Sequence, residues 1–215
     1  MGKKGWCLLV ALALCAAVGA PLAVFGWMDA AVLGRDTPIS AQTGKLAVSS
    51  SDLPLVEHIH NALGETNAQE QSSRPATLEE MESGLSDFLS SGVLPQWVAD
   101  VWEQVCQTGV GTVTVTYGTD IISYGYNGTD GVSCSYTTDL ASGCVLGFQL
   151  YTKEEHTTSQ ERRQAVMERY IQYLGLDVLG DWVYNGNRYQ STEAQLFVNA
   201  LLEEDSGGFS IGVEL

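Results

Sequence analysis

Between Thr112 and Tyr151, apolar residues alternate with polar ones through four successive runs, a period of two that strands convert into two unlike faces. In the first run Val113, Val115 and Tyr117 share one face, and Thr112, Thr114 and Thr116 share the other. The pattern recurs with Ile122, Tyr124 and Tyr126, then with Val132, Cys134 and Tyr136, and again with Cys144, Leu146, Phe148 and Leu150. Four strands with one apolar and one wet side predict an antiparallel meander whose apolar side needs a cover. Asn127-Gly128 marks the second turn as a tight hairpin. The same letters make Asn127-Gly128-Thr129 a glycosylation sequon, but the turn accounts for them without a sugar.

Helical patterns flank the meander. Thr77 with Glu80 is a capping box, and Leu78, Met81, Leu85, Phe88 and Leu89 form the stripe behind it. Pro95 fits the first turn of a second helix bearing Trp97, Val98, Val101, Trp102 and Val105, ending at Gly109. Thr158 with Glu161 caps a third, with Val166, Met167, Tyr170, Ile171 and Leu174 facing inward and Gly175 as its stop. The helices at 95–108 and 158–174 are expected to fill the face of Val113, Val115, Tyr124, Tyr136, Leu146 and Phe148. Beyond them, Trp182 to Tyr189 reads as a small hairpin around Asn185-Gly186. Thr192 with Gln195 reads as the cap of a further helix bearing Leu196, Phe197, Ala200 and Leu201, and Phe209 to Val213 as a last strand. The fold class expected is α+β: a mostly antiparallel sheet, a four-strand meander plus a C-terminal strand, covered by helices on one face.

A single N-terminal transmembrane helix is expected to precede this domain. Trp6 to Met28 is 23 residues without a charge, about 34 Å as a helix against a hydrocarbon core of about 30 Å. Lys3 and Lys4 before it favour a cytoplasmic N-terminus, which sends the rest outside the cytoplasmic membrane. The alternative is a signal peptide and a secreted product, opposed by Pro21 directly after the best cleavage site, Val18-Gly19-Ala20. The segments that follow from this are a cytoplasmic stretch at 1–5, a signal-anchor helix at 6–28 and a tether at 29–51. A membrane-proximal helix at 52–64 comes next, then a polar linker at 65–77 and the globular domain at 78–215.

Charge narrows the partners. The chain carries a formal −16, but residues 1–45 hold four basic residues against two aspartates, a net of +2, so the other 170 residues hold −18. A surface of that sign repels phosphate backbones, and no nucleic-acid partner is expected. The expected partners are the membrane, through the N-terminal helix, and a protein in the cell envelope.

No catalytic constellation, metal set or cofactor motif emerges. His58 and His60 are two residues apart on a helical pattern, about 200° around it, and cannot share one ion. Asp205-Ser206-Gly207-Gly208 resembles the nucleophile motif of trypsin-like serine proteases over four residues. Glu204 and Phe209 depart from that motif on either side, and only seven residues follow it. Cys144 would have to be the nucleophile of a sortase-like enzyme, yet no histidine falls between His60 and His156. Asp181 to Gly186 matches calcium-loop positions one, five and six but has Val183 at three and no glutamate at twelve. Cys106, Cys134 and Cys144 are an odd number, and a diagonal placement of the last two disfavours a disulfide, so all three read as buried free thiols.

A binding or scaffolding domain anchored at the envelope is the function this leaves. An anchored hydrolase-like enzyme with a dispersed site, or a sensory or accessory subunit of a membrane protein, are the alternatives. The expected binding face is the hydroxyl side of the meander, Thr112, Thr114, Thr116, Ser123, Ser133 and Ser135.

Overall fold

The computed structural model describes residues 49–64, 72–108, 110–153, 160–203 and 207–215. The apolar run at 6–28, most of the tether, residues 65–71 of the expected linker, the Thr158 cap and Asp205-Ser206 lie outside the described residues. No helix among those described is long and apolar enough to cross a membrane.

Four helices are described: α1 (Pro54–Leu63), α2 (Leu78–Ser90), α3 (Gln96–Thr108) and α4 (Gln160–Tyr173). The first strands are β1 (Ser72–Ala76), β2 (Gly111–Tyr117), β3 (Ile121–Gly128), β4 (Ser133–Asp139) and β5 (Val145–Tyr151). After α4 come β6 (Val183–Tyr184), β7 (Arg188–Ser191), β8 (Leu196–Glu203) and β9 (Gly208–Glu214). All nine strands form one antiparallel sheet in the order β1-β2-β3-β4-β5-β9-β8-β7-β6. Two meanders, β2 to β5 and β6 to β9, are thus joined where β9 pairs with β5. The α+β class, the antiparallel sheet and the C-terminal strand are as the patterning predicts.

Helices cover one face. Phe88 of α2 packs its ring against Phe148, Tyr170 and Tyr173, with centroids 5.7, 6.1 and 5.1 Å away. Tyr136 on β4 donates its hydroxyl to Met81 O of α2 (2.7 Å), and Tyr170 of α4 donates to Val145 O (2.9 Å). Trp97 of α3 meets Phe209 of β9 edge-on at 6.3 Å. The cover is therefore wider than two helices at 95–108 and 158–174, because α2 lies directly over the centre of the meander. The capping box forms as the spacing predicts: Glu80 N–H donates to Thr77 Oγ1 (3.1 Å) and Thr77 N–H to Glu80 Oε2 (3.0 Å).

Three other expectations are corrected. The helix expected over 192–201 is strand β8, entered by a turn in which Ser191 Oγ accepts from Ala194 N–H (3.0 Å) and Gln195 takes a φ of 53°. Asp181 holds that turn by accepting from Ser191 Oγ (2.8 Å) and Glu193 N–H (2.7 Å), so the Thr192–Gln195 pattern serves a strand. Residues 72–76, expected as the end of a polar linker, form edge strand β1, paired with β2 and blunted by Pro75. Asn127 and Gly128 remain in β3, and the turn is displaced to Thr129-Asp130-Gly131, where Asp130 Oδ1 accepts from Val132 N–H (3.1 Å) and Gly131 has φ 88°.

β1 is clasped by charge. Arg74 donates to both oxygens of Glu80 (3.2 Å each) and to the Tyr117 hydroxyl (2.9 Å). The Arg74 guanidinium first, then Thr77 N–H, lowers the Glu80 carboxyl below its ordinary value. A depressed carboxyl contributes stability above its unfolded pKa and loses it as the pH falls through the folded one. Hydrogen-exchange protection of 72–76 is accordingly expected to drop once the pH falls below about 4.3, while the central strands keep theirs. Protection of β1 that stays level under full glutamate protonation would contradict the clasp.

Candidate ligand-binding face

Strand register determines what the uncovered side of the sheet presents. One cross-strand row runs Thr116, Ser123, Thr137, Gly147, Gly212, Asn199 and Arg188, each directly opposite the next on the neighbouring strand. A parallel row runs Thr114, Gly125, Ser135, Gln149, Ser210 and Leu201. A shorter one holds Thr112, Asn127, Ser133, Tyr151 and Gly208. Every residue of the three rows is exposed or half-buried. All six expected face residues, Thr112, Thr114, Thr116, Ser123, Ser133 and Ser135, lie here together. The part of the face on β8 is hidden in the sequence, where the pattern predicts a helix, while the strands at β7 and β9 are expected.

On β8 the third row continues from Gly208 to Glu203, its one carboxylate. The helical side and rim hold Glu79, Glu82, Asp87, Asp100 and Glu103, whereas the first two rows carry none. An exposed carboxylate beside them, Glu214, accepts from Asn199 Nδ2 (2.6 Å). Hydroxyls pair across strands: Ser123 with Thr137 at 2.9 Å and Ser73 with Thr116 at 3.1 Å.

Two hollows mark the face. One of 410 Å³ is lined by Ser133, Ser135, Gln149, Tyr151, Leu201 and Ser210. A larger one of 860 Å³ includes Thr137, Gly147, Gly212, Asn199, Arg188 and Arg163 of α4. The two share Ser135, Gln149, Leu201 and Ser210 and so lie side by side on the face.

Gly147 and Gly212 sit opposite each other at its floor. Neither has a positive φ, and a Cβ at either would meet its nearest neighbour at 4.0 or 3.5 Å, ordinary contact. The fold therefore does not require glycine there, yet glycine inside a strand costs about 0.5–1 kcal/mol relative to a residue with a side chain. What the pair does supply is a flat strip where another molecule can approach the backbone closely.

The other polar clusters serve structural roles. Asp139, 1% exposed, accepts from Ser142 N–H at Oδ2 (2.6 Å) and has His58 Nδ1 at 3.5 Å from the same oxygen, while His58 Nδ1 and Asp139 Oδ1 are buried without a hydrogen-bond partner. With His60 Nε2 donating to Ala194 O (2.7 Å), this couple fastens α1 across the end of the sheet. A hollow of 240 Å³ beside it is lined by Asn61, Asp120, Leu140 and Ala141, with no serine, threonine or cysteine to act as a nucleophile. The His58–Asp139 couple is absent from the sequence expectations, since no local spacing announces it. Tyr189 donates to Glu168 Oε1 (2.5 Å), with Gln164 bridging both; burial first and Glu168 second push the Tyr189 hydroxyl up. Among the described residues no three of His, Cys, Asp and Glu converge on a metal position.

Cys106, Cys134 and Cys144 are free thiols; Cys134 is buried, and the other two are half-buried rather than fully enclosed as expected. Cys144 lies just before β5, where a bulge at Thr137/Thr138 interrupts the register. Burial, followed by Glu82 and Glu103, pushes the Cys106 thiol up to about 11, and burial pushes Cys134 up further. A thiol is nucleophilic as thiolate. A disulfide reagent at neutral pH is therefore expected to leave Cys134 unmodified until the protein unfolds and to modify Cys106 far more slowly than a free cysteine. Rapid labelling of Cys134 in the native protein would contradict its placement.

Compared with known proteins, the chain matches no family model, no curated protein and no solved structure.

Proposed function

We propose that the protein is a binding domain held outside the cytoplasmic membrane by its N-terminal apolar run, and that it binds through the uncovered sheet face. The observation that carries this reading is the strip of hydroxyls, amides and opposed glycines, whose two central rows hold no carboxylate in a chain that has 26 of them. A face exposed only for want of a cover would share the charge of the rest of the surface, since charge favours solubility. A ligand face gains by excluding it, because a charge desolvated without a partner opposes binding. Hydroxyl and amide side chains also bind neutral polar groups at little conformational cost when they stand on a rigid sheet.

The test is an amide chemical-shift map of the full-length chain titrated with neutral oligosaccharides, uronate oligosaccharides and pooled short peptides. The reading expects one class to shift amides in the rows through Ser135, Gly147, Gln149, Ser210 and Gly212. Shifts confined to α2 and α3, or to the His58–Asp139 hollow, would overturn it, as would no shift with any of the three classes.

A further inference from the structure

Within the uncovered face, the end nearest β7 differs from the rest. Arg188 is half-buried, its guanidinium stacked 3.9 Å over the Phe197 ring, and no carboxylate pairs with it among the described residues. Arg163 of α4 lines the same hollow, is also half-buried, and has its Nε buried without a hydrogen-bond partner. Glu214, the one carboxylate lining that hollow among the described residues, is engaged by the Asn199 amide instead. The chain has 26 acidic residues and 10 basic ones, so a carboxylate for each arginine is abundant. Arg74, by contrast, has Glu80. The fixed fork of donors on a guanidinium matches an oxyanion in two-point contact. Two guanidinium groups without an ion pair in one hollow are a place for a carboxylate that the ligand brings.

The rest of the hollow indicates what carries that carboxylate. The row from Thr116 to Arg188 crosses seven strands at about 4.8 Å per step, roughly 29 Å in all. It offers one hydroxyl, amide or bare backbone position per step, an interval close to the advance of one pyranose ring along an extended glycan. Tyr151, 45% exposed, supplies an aromatic surface at the neighbouring hollow. An extended peptide fits less well. Its backbone groups seek unpaired strand edges, which lie at β1 and β6, whereas the strands of this face are already hydrogen-bonded on both sides.

We infer that the uncovered face binds an extended acidic glycan, with hydroxyls along the Thr116–Asn199 row and a uronate carboxylate held by Arg188 and Arg163. This rests on the reading of the face as the binding surface and adds the ligand class and the residues that select it.

The test is calorimetric titration of the full-length chain with an oligogalacturonate and with the same oligomer methyl-esterified, which removes the charge and keeps the sugar. The acid form is expected to bind at least about tenfold more tightly, the effect of one charge-assisted two-point contact. The double variant R163Q/R188Q is expected to bind acid and ester with equal affinity. R188Q alone is expected to lose part of the preference and serves if the double variant does not fold. Equal affinity for acid and ester in the native chain would overturn the inference, as would a preference that survives the double substitution or binding of acidic peptides in place of glycans. Equal affinities with amide shifts still on the face would leave the binding-face reading standing, whereas shifts elsewhere would remove both.

Discussion

Phe88→Ala is expected to destabilise the fold by about 4 kcal/mol, within the range for deleting a fully buried aromatic ring. Phe88 is 0% exposed and its ring touches Phe148 from the sheet and Tyr170 and Tyr173 from α4, so one side chain joins three elements. The neighbours cannot collapse into the space it leaves, because Tyr170 is held by Val145 O and Tyr173 by Val145 N–H. Denaturant unfolding should show a lowered midpoint with an unchanged slope. A loss under about 1 kcal/mol would mean that α2 does not seal the centre of the sheet.

Trp182→Ala is expected to cost about 4 kcal/mol as well, for a different reason. Trp182 is 2% exposed and donates its indole N–H to Leu176 O (2.8 Å), closing the turn between α4 and β6. Removing it empties a large volume and leaves that carbonyl without its donor. The two substitutions probe different parts of the sheet, Phe88 over β5 at its centre and Trp182 beside β6 at one edge. Since the two meanders join through the β5–β9 pairing and one continuous core, each variant should still unfold in a single transition, the same by intrinsic fluorescence and by far-ultraviolet dichroism. Two separated transitions in either variant would show that the meanders are independent units.

The parts of this fold that are legible in the sequence are those fixed by neighbours in the chain. Val113, Val115, Tyr124, Tyr136 and Phe148 declare a core face through period-two alternation, and Thr77 with Glu80 declares a helix start through a local hydrogen-bond exchange. β8 is not legible, because Leu196-Phe197-Val198 is apolar on both faces and Thr192-x-x-Gln195 imitates a helix cap. What decides the strand is the Ser191 turn braced by Asp181, a contact between residues ten apart in the chain. β1 is hidden in the same way: Ser72 to Ala76 is polar and holds a proline, and it becomes a strand only because β2 offers it an edge.

The candidate site divides along the same line. Its half on β2, β3 and β4 is visible as a hydroxyl periodicity. The opposition of Gly147 to Gly212 and the entry of Arg163 into the hollow that Arg188 lines are not, since neither is set by neighbours in the chain. The local signal is a glycine between two strand-forming neighbours, Leu146 and Phe148 in one case and Ile211 and Val213 in the other. Such a glycine marks a close backbone approach without naming its cross-strand partner.

The most direct measurement is the acid-oligomer affinity of the full-length chain carrying G147V and G212V, read beside its melting temperature. Valine favours a strand over glycine by roughly 1 kcal/mol, and both positions have ordinary room for a Cβ, so the melting temperature should hold or rise. The two valines raise the flat floor into the space a ligand needs, and binding should be lost. A variant that is as stable as the native chain and binds as tightly would contradict the claim that this face is the binding surface.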